Sequence, residues 1–318
     1  MKKILLVLTF ILLVTGCGNV KLKNGEYELV SFDGIDSISA DDLYKELKKS
    51  YGNSKLVNLM DTKILSKLYE TDKEEKEYLS DAIKTVKKNA KEINADFELY
   101  IQYYYGVNDE DELRDMLSLD YKRDQWKSDY AKESVTEKQL KEYYESEYFG
   151  DIEAKHILIT VDAASDASSD DKKEAENKAK ETANEVIKKL KAGEKFEDLA
   201  KQYSKDSTSS NEGGSLGKIN RGDYDDEVLE ALNALKVGTY STTPFKSTYG
   251  YHVLYKVSQD EKKELKDVEE KLRTIIGSEL EEQENFSQKA LKALREKYKI
   301  DIKDADLKKA YEASVINY

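Results

Sequence analysis

The 318-residue sequence holds one cysteine (Cys17), one proline (Pro244), one tryptophan (Trp126) and two histidines, His156 and His252. A single cysteine closes no internal disulfide, and these few residues cannot supply the Cys/His cluster of a structural zinc site. The histidines lack the HExxH spacing of a zinc hydrolase. Basic residues are in deficit, 52 against 65 acidic, so the net charge of −13 leaves no basic footprint for nucleic acid. What is abundant is charge itself, at 37% against about 25% in an average globular domain. Apolar types still reach 39%, helped by 23 tyrosines, which is enough to bury a core. The length suggests two domains, or one domain interrupted by an insertion.

One apolar run stands out, Ile4–Val14, preceded by Lys2 and Lys3. Eleven residues are too few to cross a hydrocarbon layer of about 30 Å as a helix, and the pattern is that of a secretory leader. The run ends in Val14-Thr15-Gly16-Cys17. Small residues before the lone cysteine resemble the lipobox of bacterial lipoproteins, in which the thiol is acylated and becomes the new N-terminus. That resemblance implies a signal peptide over 1–16 and lipid attachment at Cys17. Each buried CH₂ contributes about 0.8 kcal/mol, so two or three acyl chains would hold the protein at the extracytoplasmic face of the cell membrane.

Residues 17–150 read as helical, with 21 basic and 30 acidic side chains on their exposed faces and no proline. Ser39-Ala-Asp-Asp42, Thr71-Asp-Lys-Glu74 and Thr136-Glu-Lys-Gln139 are capping-box patterns that open helices. Leu56, Leu59, Met60, Ile64 and Leu68 follow helical spacing. The texture changes at Asp151. Residues 152–161 alternate as a strand, with His156, Leu158 and Thr160 opposite Ile157, Ile159 and Val161. A long amphipathic helix over 171–191, a short one at Phe196–Tyr203, a Gly-dense loop at 213–217, a helix over 225–235 and a closing strand at Tyr251–Val257 complete a compact α+β domain over 151–258. From 259 to 318 the chain is helical again. Its apolar stripe (Leu265, Val268, Leu272, Ile275, Ile276) cannot be buried by one helix alone. The expected partner is the N-terminal helical segment, which makes the α+β domain an insertion in a mostly α-helical lobe.

Two loop motifs fail on inspection. Gly217-Lys218 imitates the end of a phosphate-binding loop, but Glu212 stands at its first glycine and Ile219 follows the lysine. The run Asp206–Gly213 lacks the alternating oxygen ligands of a calcium loop. The histidines carry more. A lone histidine in a strand is ordinarily a core residue, but here the only two lie on the first and last strands of one small domain. If those strands are neighbours, both imidazoles meet within one sheet.

In order and spacing, Ala154-Lys-His-Ile-Leu158, Phe196-Glu-Asp-Leu-Ala200, Tyr203-Ser-Lys-Asp206, Gly213-Gly-Ser-Leu-Gly217 and Tyr249-Gly-Tyr-His-Val253 resemble the motifs of parvulin-type peptidyl-prolyl isomerases. With the lipobox and the flanking helical halves, the whole chain resembles PrsA-type extracytoplasmic foldase lipoproteins. The resemblance implies a parvulin-like domain, a central antiparallel sheet with helices, set in a helical chaperone lobe. It also implies His156, Asp206 and His252 as catalytic residues. Leu216, Ile219, Tyr224, Asp225 and Val228 would bind substrate, with Asp225 on the rim; plain core packing serves equally for Leu216 and Val228, and a turn or cap for Asp206. Rotation about an amide breaks no bond, so no cofactor and no metal is implied. The family usually has an aromatic where Ile219 stands, Met where Tyr224 stands and Phe where Val228 stands. The acidic loop Asp162–Asp170 offers no base to a phosphorylated substrate.

The implied partners are unfolded or partly folded secreted polypeptides and, through the lipid, the membrane, without nucleic acid; whether the helical lobe forms a homodimer is left open. The leading expectation is a membrane-anchored foldase that isomerises X–Pro bonds. The three pocket departures motivate the alternative, a non-catalytic holdase chaperone with a vestigial parvulin domain. A solute-binding lipoprotein would satisfy the lipobox alone, but its two-lobed α/β repeats are not visible.

Overall fold

The computed structural model describes residues 27–164 and 166–315, so Cys17 and the leader lie outside the described residues. The chain divides into two compact units, one of residues 1–126 and 287–318, the other Lys127–Phe286. The second is therefore an insertion, in sequence, within the first. No helix among the described residues is long and apolar enough to cross a membrane.

The first unit is helical. A short antiparallel pair, β1 (Glu28–Val30) and β2 (Ile38–Ser39), leads into α1 (Ala40–Leu68). Then come α2 (Lys73–Glu92), α3 (Phe97–Tyr105) and α4 (Glu110–Ser134), which is divided between the units after Trp126. Ser39 starts α1 with both bonds of the expected capping box. The box expected at Thr71 starts one residue later. Asp72 is the cap, accepting from the Glu75 N–H at 2.8 Å, while the Thr71 hydroxyl accepts from Lys122 at 3.3 Å instead. The aromatic-rich α3 closes the unit's core, where Ile83, Val86, Ile101, Val107 and Leu113 pack together.

The most deeply buried charge of this unit is Asp61, with no exposed surface. Two guanidinium forks grip it: Arg123 Nε and Nη2 at 3.0 and 2.6 Å, and Arg295 Nε and Nη2 at 2.8 Å each. Such a carboxylate survives burial because both of its oxygens accept charge-assisted hydrogen bonds, three on Oδ2 and one on Oδ1. The indole of Trp126 donates to the Ala290 carbonyl at 2.7 Å.

The second unit holds the α+β region read over 151–258 and extends beyond it at both ends, taking in helices on either side. The last turns of α4 and α5 (Glu137–Ser146) precede β3 (Ile152–Ile159), and α6 (Ser169–Lys191) and α7 (Phe196–Tyr203) follow it. After them come β4 (Ser215–Ile219), α8 (Asp226–Ala234), β5 (Thr239–Tyr240), β6 (Phe245–Ser247), β7 (Gly250–Gln259) and α9 (Leu265–Glu281). The chain then returns to the helical unit through α10 (Phe286–Lys297) and ends in α11 (Ala305–Val315).

The sheet is antiparallel throughout, in the order β4-β3-β7-β5, with β6 also paired to β7. Two strands were expected and five are present. β4 is formed by the Gly-dense stretch read as a loop, because pairing Ile152↔Ile219, Glu153↔Lys218 and Ala154↔Gly217 satisfies its backbone despite two glycines at positive φ beside or within it. One face of the sheet is covered by α6 and α7, which bury Ile157, Ile159, Val253 and Tyr251. The other carries α8, packed on Ile152, Ala154, Ile219 and Leu254. The stripe of α9 is buried against α5 and its flanks, with Val268, Leu272 and Ile276 on Val135, Leu140 and Tyr148.

Candidate active site

The register of β3 and β7 places the histidines. His156 pairs with Leu254 and Leu158 with His252, so the two imidazoles are diagonal neighbours on the α8 face. Each is 1% exposed. Their rings stack 5.3 Å apart, and the two Nδ1 atoms are 3.1 Å apart.

Beyond the stretch paired with β4, the open edge of β3 is covered by loop backbone. The His156 N–H donates to the Gly214 carbonyl at 2.8 Å, and the Leu158 N–H donates to Ser204 Oγ at 3.1 Å. The Leu158 carbonyl accepts from the Lys205 N–H at 2.7 Å, so the next residue, Asp206, is delivered to the outer end of His156. Gly214 is indispensable here: its φ is +80°, and a Cβ would lie 2.3 Å from the His156 carbonyl oxygen.

Asp206 Oδ2 lies 2.8 Å from His156 Nε2, with Ser209 Oγ 3.2 Å from the same nitrogen. The other carboxylate oxygen accepts from Thr208 Oγ1 at 2.6 Å and from the Thr208 N–H at 3.0 Å. At the far end of the pair, Ser247 Oγ is 2.7 Å from His252 Nε2 and accepts the Tyr249 N–H at 3.1 Å.

These partners order the protons along one line. Burial pushes the Asp206 carboxyl up, but hydrogen bonds from Ser209, Thr208 and His156 outweigh it and hold it well below the usual carboxylate range. An ionised Asp206 requires a proton on His156 Nε2, which leaves Nδ1 to accept from His252 Nδ1–H. His252 Nε2 then accepts from the Ser247 hydroxyl. Both imidazoles are neutral in this arrangement. Burial lowers His156 despite the adjacent carboxylate, and burial together with the neighbouring His156 brings His252 down to about 4.

Above this line, Tyr224 meets His156 edge-on, its hydroxyl 3.4 Å from Nδ1. Burial, with the charges of Asp206 and Asp225 nearby, pushes its hydroxyl up to about 12, so it remains a donor at neutral pH. Of the residues singled out from sequence, His156, Asp206, His252 and Tyr224 come together. Leu216 and Tyr224 are partly buried against the core that includes Ile219 and Val228, which themselves are 6% and 1% exposed. Asp225 caps α8, accepting from the Glu227 and Val228 N–H groups at 3.1 and 3.3 Å.

Sequence reasoning missed three participants. Ser209 lies in a run of four Ser/Thr after Asp206 that gave no hint which hydroxyl turns inward. Ser247 and Phe245 lie on the unforeseen β6, where Phe245 pairs directly with His252 at a ring distance of 6.3 Å. The one proline stands just before Phe245, and a strand start after it was the available signal.

Comparison with known proteins identifies a family for the sheet domain and for most of the chain. A family model described as a PPIC-type PPIase (rotamase) domain matches residues 156–259. Foldase protein PrsA 2 of Bacillus cereus is 32% identical over 309 residues, 97% of this chain and 95% of its own. Foldase protein PrsA of Geobacillus kaustophilus is 33% identical over 276 residues, 87% of this chain and 86% of its own. The crystal structure of foldase protein PrsA from Streptococcus pneumoniae shares the fold with a TM-score of 0.64 at 23% identity, covering 89% of this chain and 98% of that one.

Proposed function

The chain belongs to the PrsA foldase family and carries a parvulin-type isomerase domain, and on that basis we propose that it isomerises X–Pro bonds of secreted polypeptides. In this reading a lipid on Cys17 tethers it to the extracytoplasmic face of the membrane. The single observation that carries the catalytic part is the line Asp206–His156–His252–Ser247, hydrogen-bonded end to end beneath Leu216, Tyr224 and Phe245.

The chemistry asks for little and that little is present. The X–Pro bond prefers trans by only about 0.5–1 kcal/mol, but rotation crosses roughly 18–20 kcal/mol because it breaks amide resonance. A catalyst lowers that barrier by binding the twisted amide better than the planar one. The apolar side chains Leu216, Tyr224 and Phe245 grip the proline ring and remove water from the carbonyl, which weakens the charge-separated planar form. The neutral imidazoles present no cation that would stabilise the negative carbonyl oxygen of planar amide. The Tyr224 hydroxyl donates toward the prolyl nitrogen, whose lone pair is freed only in the twisted state. Asp206 and Ser247 hold the rings in one tautomeric order, so the site does not rearrange during rotation.

A protease-coupled proline-peptide assay on the full chain tests this. We expect turnover above background and a fall of at least tenfold on His156→Ala, with unchanged far-ultraviolet circular dichroism. No turnover above background in the parent would refute the catalytic reading and leave a holdase, and equal turnover in both proteins would refute the role of His156.

A further inference from the structure

The helical unit holds a cleft of about 370 Å³, lined from α1, α4, α10 and α11, that the isomerase reading does not use. Its volume falls within the range of small-ligand sites, about 300–1,000 Å³. Helical spacing builds it. Asn53 and Val57 on α1, and Gln288, Leu291, Lys292 and Arg295 on α10, recur at intervals of three and four residues and so share one side of their helix. Arg123 enters the lining from α4. Three bases thus line the cleft and, among the described residues, no acid does, in a chain of net charge −13.

The charges there do not cancel. Asp61 is one carboxylate held by two guanidiniums, Arg123 and Arg295, which leaves one positive charge in excess. The further carboxylate on Arg123 is Asp120, at 3.4 Å and 55% exposed. Lys292 adds a second positive charge: it is exposed and makes no ion pair or hydrogen bond among the described residues. Arg295, 8% exposed, is fixed by its two bonds to Asp61, so this cationic wall needs no rearrangement to meet an anion. Asn53 supplies the second feature. Its Oδ1 is the only buried side-chain oxygen or nitrogen among the described residues that meets no hydrogen-bond partner. Leaving such an acceptor orphaned is costly, and a donor on a ligand removes the cost. Val57 and Leu291 add an apolar surface to the same lining.

A ligand that suits all three features carries an anion for the bases, an N–H for Asn53 and an apolar group for Val57 and Leu291. The last residue of a polypeptide bears these three groups on one α-carbon. We propose that the cleft binds the carboxyl terminus of a polypeptide whose final side chain is apolar. The free α-carboxylate meets Lys292 and Arg123, and the terminal N–H donates to Asn53. The site lies wholly within the helical unit and goes beyond the isomerase reading: its ligand is a chain end, with no requirement for an X–Pro bond.

The experiment measures Kd by fluorescence anisotropy for the full chain and three labelled peptides without proline. The first ends in leucine with a free carboxylate, the second is its C-terminal amide, and the third is that amide with an internal aspartate. At low ionic strength we expect the first to bind about tenfold tighter than either amide. In 1 M salt, where the Debye length is about 3 Å, the ratio should fall to about twofold. Lys292→Glu reverses an exposed, unpaired charge and should also bring the low-salt ratio to about twofold, with turnover in the proline-peptide assay as in the parent. Asn53→Leu removes the acceptor and should weaken the first two peptides alike, by about fivefold. Its melting temperature should equal or exceed that of the parent, because no hydrogen bond is lost; a merely structural Asn53 would lower it. No binding of the first peptide, equal Kd for the first and second, or an unchanged ratio in Lys292→Glu overturns the proposal. Equal Kd for the first and third would show a carboxylate site indifferent to chain ends and overturns it too.

Discussion

The anchor of the helical unit and the candidate site of the sheet unit bury polar groups by opposite means. In the helical unit the buried group is a full charge, Asp61, held by two arginines that supply four donor contacts. The sheet unit has a carboxylate-held arginine of its own, Arg221. At its candidate site, however, the buried groups are two imidazoles kept neutral, one accepting where the next donates, from Ser247 to Asp206. A compensated ion pair is rigid and costs several kcal/mol to break. A pair of neutral imidazoles costs less to bury, and the one charge of the line is the Asp206 carboxylate at its outer end. The difference separates an anchor of the scaffold from the floor of the proposed reaction site.

The largest effect is expected where the anchor is broken. Asp61→Ala leaves the buried Arg295 guanidinium facing Arg123, whose remaining carboxylate is the exposed Asp120 at 3.4 Å, and removal of one partner from a buried pair typically costs about 3–5 kcal/mol. The lone tryptophan, Trp126, belongs to this unit, so its fluorescence in a urea titration reads the loss directly. A change below about 1 kcal/mol would show that Asp61 is not the anchor.

The second effect belongs to the sheet unit and to acid. Burial and the neighbouring His156 bring His252 down to about 4 in the folded protein, against about 6.5 for a free imidazole, and burial lowers His156 in the same direction. Between those limits the unfolded chain binds more protons, so stability is complete above about pH 6.5 and falls as pH drops toward 4. The loss from His252 alone is roughly 3 kcal/mol. Below about pH 4 the depressed carboxyl of Asp206 adds a further loss with the same sign. Hydrogen-exchange protection of the β3 and β7 amides should decline across this window. Protection that holds constant from pH 7 to 4 would contradict neutral burial of the pair.

Much of this was legible because local rules acted alone. Phe196–Tyr203 is the helix expected from its motif, and Ser39 and Thr136 cap their helices with the expected reciprocal bonds. The meeting of His156 and His252 followed from one assumption, that the first and last strands are neighbours, and β3 does pair with β7. What escaped depended on tertiary context. Gly217 reads as loop until β3 supplies its partner, and the short β6 has no periodicity to detect. Leu59 and Ile64 both follow the helical spacing of α1, but Ile64 is buried while 61% of the Leu59 surface remains exposed. Spacing identifies a face without saying whether anything covers it. The Arg295–Asp61 contact joins residues 234 positions apart and leaves no trace in either neighbourhood.

Because the sequence has only two histidines, the central claim can be read without mutation. In a nitrogen-15 imidazole spectrum of the full chain at pH 7, we expect two neutral rings of opposite tautomer: His156 protonated on Nε2 and His252 on Nδ1. Titration should leave His252 neutral until the pH approaches 4. A protonated ring at pH 7, or the same tautomer on both residues, would contradict the proton order on which the proposed site depends.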